Sequence, residues 1–193
     1  MEAITSFETL NNYMKLKISQ IKNELDQMLN SGICDEQLSK QIQTFEYNQD
    51  IDAMNIKFNI IKDTYKALKM EWDKQDAKQQ VEEIKSFLLS EESNLVIAEI
   101  KNYDNKNVFN ALTDLINEKQ DKVFAVLNIV EDKVQYMLAT NQKNKINLND
   151  TIRKINEFTQ GKGGGKPNFV QGGCLAAVDL SKIIGIIKEN INA

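Results

Sequence analysis

Residues 161 to 173 read "GKGGGKPNFVQGG", which gathers six of the chain's eight glycines and its only proline into one short segment. Consecutive glycines let backbone N–H groups approach an anion without side-chain obstruction. Lys162 and Lys166 bracket Gly163, Gly164 and Gly165 as point charges suited to phosphate, and Gln171 offers a hydrogen bond to a ribose or base. Two familiar nucleotide loops fail on spacing. A P-loop needs glycine where Gln160 stands and a magnesium-binding hydroxyl where Pro167 stands. A dinucleotide fingerprint begun at Gly161 needs glycine at Lys166, and the segment follows a predicted helix rather than a strand. Two readings stay open on the residues alone: a phosphate contact, or a tight structural turn between a helix and a strand, where close backbone packing also demands glycine.

Other chemistry is scarce. The chain has no histidine, which removes Ser-His-Asp triads, Cys-His pairs and the common zinc motifs together. We therefore assign no catalytic residue and no metal ligand. Cys34 and Cys174 form no CxxC pair and read as small buried apolar residues. The formal net charge is −4, yet residues 141 to 193 carry 8 basic and 4 acidic side chains. With a screening length of about 8 Å at physiological salt, a ligand feels that local balance more than the total. Lys143, Lys145, Arg153 and Lys154 extend the basic surface around the glycines. No apolar run is long enough to span a membrane and the first residues lack a secretory pattern, so the expected compartment is cytoplasm and no membrane partner is expected.

These residues need a scaffold, and its pattern changes once along the chain. Residues 1–90 read as a helical arm. Thr5 and Glu8 form a capping box, and Phe7, Met14, Ile21 and Met28, with Ile18 and Leu25 between them, make a coiled-coil-like stripe. Gly32 supplies a stop and Asp35 a cap for a return helix, with a break near "EYNQD". Ile56, Ile60, Leu68, Trp72, Ile84 and Leu88 mark its apolar positions, and the simplest arrangement is an antiparallel hairpin.

Residues 91–193 read as a small globular domain with its boundary near Glu91-Glu92-Ser93. The expected order is a strand over 94–100, a helix over 105–120 with Val108, Leu112, Leu115 and Ile116 inward, and two strands joined at Glu131-Asp132. A helix capped at Asn149-Asp150 follows, then the glycines, a short strand, and a last helix with Ile183, Ile184, Ile187 and Ile191 inward. The fold class is α+β: a long N-terminal helical hairpin, then helices against a small mixed sheet.

The glycine segment resembles the DHHA1 domain in the form carried by the C-terminal end of alanyl-tRNA synthetases, whose pattern is near GGGGKPDMAQAGG. Gly163, Gly164, Gly165, Lys166, Pro167, Gln171 and Gly173 match by position, while Asn168 stands for the usual Asp, Phe169 for Met, Val170 for Ala and Gly172 for Ala. The segment "EAITSFETLNNYMK" is similar to the one with which those synthetases leave the editing domain and enter a helical arm, with Ser6 in place of Gly. The resemblance implies an excised, non-catalytic module, usually called C-Ala, that holds no cofactor; ATP, magnesium and zinc belong to domains upstream. It implies tRNA(Ala) as partner, bound at its outer corner in support of aminoacylation and editing. It also implies a contribution to a homodimer through the arm. The competing implication is the substrate-binding domain of a DHH-type phosphoesterase, whose histidine-rich metal centre this chain cannot supply.

Overall fold

The computed structural model describes residues 2–48, 50–118, 122–142 and 146–191, without the side chains of residues 2–6. It divides into two compact units, residues 1–75 and 76–193. One continuous helix, α3 (Ile51–Leu89), contributes to both.

The first unit is built on α1 (Glu2–Asn30), the short α2 (Glu36–Gln43) and the first part of α3. The helix α1 starts ahead of Thr5, so the capping box expected there does not mark its beginning. Its end matches expectation, with Gly32 left-handed at φ 73° and Asp35 capping α2 by accepting a 2.7 Å bond from the Leu38 amide. Helix α2 ends at Gln43 and α3 begins at Ile51, where "EYNQD" predicts a break, so the described residues of the arm form three helices.

Only part of the apolar stripe is covered. Ile21, Leu25 and Met28 share a core with Leu38 and Ile42 of α2 and with Met54, Phe58 and Ile61 of α3. An ion pair of 2.9 Å between Lys62 and Glu24 adds to this packing. Phe7 is 66% exposed and Met14, only half-buried, takes no part in that core, so the stripe's first turns lie outside it. In α3 the expected inward residues Ile56 and Ile60 face solvent, because the buried row is Met54, Phe58 and Ile61. That row has the spacing i, i+4, i+7 of one helical face, and Ile56 and Ile60 lie on another. Trp72 is also exposed, whereas Ile84 and Leu88 are fully buried in the second unit.

The second unit holds one five-stranded mixed sheet in the order β1-β2-β3-β5-β4. Its strands are β1 (Leu95–Lys101), β2 (Val123–Val130), β3 (Lys133–Thr140), β4 (Lys162–Lys166) and β5 (Phe169–Leu175). The pair β1–β2 is parallel and every other pair is antiparallel. The helix α4 (Asn105–Glu118) makes the parallel crossover, as such a connection requires. Val123 to Asn128 of β2 are buried without alternation, the pattern of a central strand covered on both faces.

Helix α4 and the last turns of α3 cover one face through Val108, Leu112, Ile84 and Leu88 packed on Phe124, Val126 and Met137. Helices α5 (Leu148–Thr159) and α6 (Leu180–Ile191) cover the other, through Ile152, Ile155, Ile183 and Ile187 against Leu127, Tyr136 and Val170. The cap of α5 is Asn147 rather than Asn149-Asp150. Leu148 is wholly buried and its amide donates to the Pro167 carbonyl at 3.0 Å, which draws the helix start back to that residue. Among the described residues no helix is long and apolar enough to cross a membrane.

Candidate functional site

The glycine segment is a β-hairpin. Its first half forms the edge strand β4 and its second half β5, with Lys166 opposite Phe169 across the two-residue turn Pro167-Asn168. Glycine has poor strand propensity, so periodicity predicts no strand at residues 162–166. What makes one there is the partner strand, since β5 pairs β3 on its other side through Val134↔Cys174 to Ala139↔Phe169. The turn is docked as well: Pro167 O accepts from the Leu148 amide, and Asn168 O accepts from the Thr140 amide at 2.9 Å. A helix-to-strand turn is thus replaced by two paired strands with a seated loop.

The glycines divide by what a side chain would meet. A Cβ on Gly163 would lie 2.5 Å from the Gly172 Cα and from the Gln171 carbonyl oxygen, both backbone atoms. On Gly172 it would run into the ring of Tyr136, and on Gly161 it would lie 2.6 Å from the Tyr136 hydroxyl. Gly163 is glycine because β4 lies tight against the β5 backbone, and Gly161 and Gly172 because the hairpin packs on a buried tyrosine. At Gly164 an added Cβ would meet nothing within 4 Å. Its missing side chain leaves open surface.

That surface belongs to an open cleft of about 1000 Å³. Helix α4 covers its face of the sheet only as far as Met137, which both packs in the core beneath α4 and lines the cleft. Beyond it, Gln171 stands beside Met137 in register, and Gln135 and Lys133 follow at alternate positions of β3. Lys162, Gly163 and Gly164 complete the wall on the β4 side, and Asn105 at the start of α4 closes the other. Asn105 is positioned by Asn128, whose buried amide donates 2.9 Å to Asn105 Oδ1 and 2.8 Å to the Tyr103 carbonyl. Among the described residues two lysines line the cleft and no aspartate or glutamate does. Among the described residues no ion pair engages Lys133, Lys162 or Lys166.

Of the residues expected to bind, Lys162, Gly163, Gly164 and Gln171 therefore meet in one place. Gly165 and Lys166 continue β4 toward the turn, with Lys166 exposed. Arg153 and Lys154 lie elsewhere, lining a groove of about 540 Å³ between α5 and α6. There Arg153 is 3.5 Å from Asp150, and Lys154 donates to Asn190 Oδ1 at 2.5 Å. Lys143 and Lys145 fall outside the described residues. Sequence reasoning missed Lys133, Gln135 and Asn105. The signal for the first two is present in β3, where polar residues alternate with the buried Val134 and Tyr136.

Beneath the cleft, burial pushes the Tyr136 hydroxyl above its ordinary range, opposed by a hydrogen bond from Thr159. Cys34 and Cys174 are half-buried rather than buried; desolvation raises the Cys174 thiol against the opposing Thr159 bond, and so keeps it in its unreactive protonated form at neutral pH. Among the described residues no three His, Cys, Asp or Glu side chains converge as a metal site.

Residues 92–193 match the DHHA1 domain. The chain is 38% identical to an alanine–tRNA ligase of Ureaplasma parvum serovar 3, over 98% of this chain and 22% of that protein. It is 33% identical to the alanine–tRNA ligase of Mycoplasmoides gallisepticum, over 95% of this chain and 21% of that one. The chain thus spans about a fifth of the length of these relatives. Among solved structures, the C-Ala domain of Aquifex aeolicus alanyl-tRNA synthetase aligns with a TM-score of 0.47 at 20% identity, covering 51% of this chain and 91% of that domain.

Proposed function

The chain belongs to the DHHA1 domain family, and from that premise we propose that it is a tRNA-binding segment of an alanine–tRNA ligase. It acts without catalysis of its own, holding the outer corner of tRNA(Ala) while other domains of the ligase carry out aminoacylation and editing. ATP, magnesium and zinc chemistry is assigned to those domains.

The observation that carries this reading is a cleft whose charged lining, among the described residues, is lysine alone, on a chain of net charge −4. Lys162 and Lys133 offer charge to phosphates, and Lys166 extends that charge along β4. Gly164 leaves room for a sugar–phosphate backbone to reach the strand. Gln135 and Gln171 present amides that both donate and accept, the chemistry suited to ribose hydroxyls and base edges.

Titration of the chain with tRNA at several salt concentrations tests the reading. Each phosphate contact contributes about 0.7–0.9 to the slope of log affinity against log salt, so Lys162→Ala with Lys166→Ala should flatten it by about 1.5. A flat wild-type plot, or a double variant identical to wild type, would sink the assignment.

Phe7 and Leu10, exposed three positions apart on one side of α1, support a second role in pairing two ligase chains through the arm. Sedimentation of the full chain should then show a dimer that Phe7→Ser with Leu10→Ser converts to monomer. A wild-type monomer at tens of micromolar would exclude it.

A further inference from the structure

The strand that forms the cleft's wall is poor in side chains, at a sheet edge and exposed throughout. Glycine loses more conformational freedom on ordering than any other residue, so such a strand should be poorly ordered unless something outside the ladder holds it. Antiparallel pairing across a two-residue turn places ladder bonds at alternate positions, here 166–169, 164–171 and 162–173. The peptide groups of Gly163 and Gly165 are then directed outward.

One of these outward groups is held by a side chain. Asn156, on α5, donates its amide to the Gly163 carbonyl at 3.1 Å. The same carboxamide accepts from the Tyr136 hydroxyl at 2.5 Å. Tyr136 is fully buried in β3, and its ring backs directly on Gly172. A relay therefore runs from the sheet core through α5 to the outer edge of β4. Both carboxamide atoms of Asn156 are used, which fixes its rotamer and its amide orientation.

We infer that Asn156 is a positioning residue for nucleic-acid binding: anchored by Tyr136, it holds the outer edge of β4 in the one conformation that places Lys162 and Gly164 for contact. This rests on the function proposed above. Neither residue carries charge or lines the cleft, so their effect comes through the ordering of β4 before the ligand arrives. A contact made by a pre-ordered strand avoids the entropy cost of ordering it on binding.

The test compares the full chain with Asn156→Ala, Tyr136→Phe and the double variant, reading amide hydrogen exchange and tRNA affinity against salt. Losing one hydrogen bond of ordinary strength corresponds to a factor of about 2–12. In Asn156→Ala, exchange of the β4 amides should rise by about tenfold while β2 and β3 stay protected. Affinity for tRNA should fall by a similar factor at every salt concentration, with the salt slope unchanged, in contrast to the lysine variants. Tyr136→Phe should move both readouts the same way by less, and should add little in the Asn156→Ala background, since the two act in series. Unchanged β4 exchange in Asn156→Ala would overturn the clamp, and raised exchange with unchanged affinity would reduce it to a structural tie. A changed salt slope would show that Asn156 acts through charge and overturn positioning. If wild-type chain fails to bind tRNA, the proposed function falls, while the exchange measurement still decides the clamp.

Discussion

The arm exposes Phe7, Leu16, Ile56 and Ile60 on long regular helices, while the glycine hairpin, nearly devoid of side chains along β4, is bonded at its turn, its edge and its ladder. Apolar content in the arm does not translate into burial. Missing side chains in the hairpin do not translate into looseness. The difference lies in what surrounds each element. A helix satisfies its own backbone hydrogen bonds and can stand with an apolar face open. A strand satisfies its bonds only through neighbours, so a strand exists only where partners hold it.

Two paired substitutions would break or sharpen this contrast. The largest effect belongs to the covered part of the arm: Leu25→Ala should cost about 2–5 kcal/mol, whereas Ile56→Ala should stay within about 0.5 kcal/mol. Chemical denaturation followed by circular dichroism reads both, and equal losses would mean that Ile56 is covered after all. A smaller effect belongs to the hairpin. Gly163→Ala should destabilise by about 1–3 kcal/mol, because its methyl group meets backbone that cannot yield. Gly164→Ala should leave thermal stability unchanged, with nothing near its added methyl group. If Gly164→Ala proved as costly as Gly163→Ala, the distinction between packing glycines and an open glycine would collapse.

Most of the second unit is legible in the residues. The strands β1, β2 and β3 and the inward rows of α4 and α6 all appear close to the expected places, because short apolar runs bounded by turns make strands and rows of helical spacing are buried there. Two features resisted reading for different reasons. In α3 both Ile56/Ile60 and Met54/Phe58/Ile61 make apolar rows, and only the arrangement of α1 and α2 selects the second. At β4 the pattern is silent, since "GKGGGK" carries neither alternation nor strand propensity.

The candidate site shows the same division. The sequence by itself determined that cationic residues and glycines cluster near the C-terminal end, that catalytic histidine chemistry is absent, and that the glycine motif belongs with DHHA1 domains. The tertiary structure alone decided which basic residues share a surface. It brings Lys133 from β3 into the same cleft as Lys162, and it sends Arg153 and Lys154 to the groove between α5 and α6. It also revealed why Gly161 and Gly172 are needed, through Tyr136, and what holds the Gly163 carbonyl, through Asn156, neither of which stands out in the residue order. Composition and spacing describe neighbours along the chain, whereas a binding surface and the clamp beneath it are made by residues that meet only when strands pair and helices cover them.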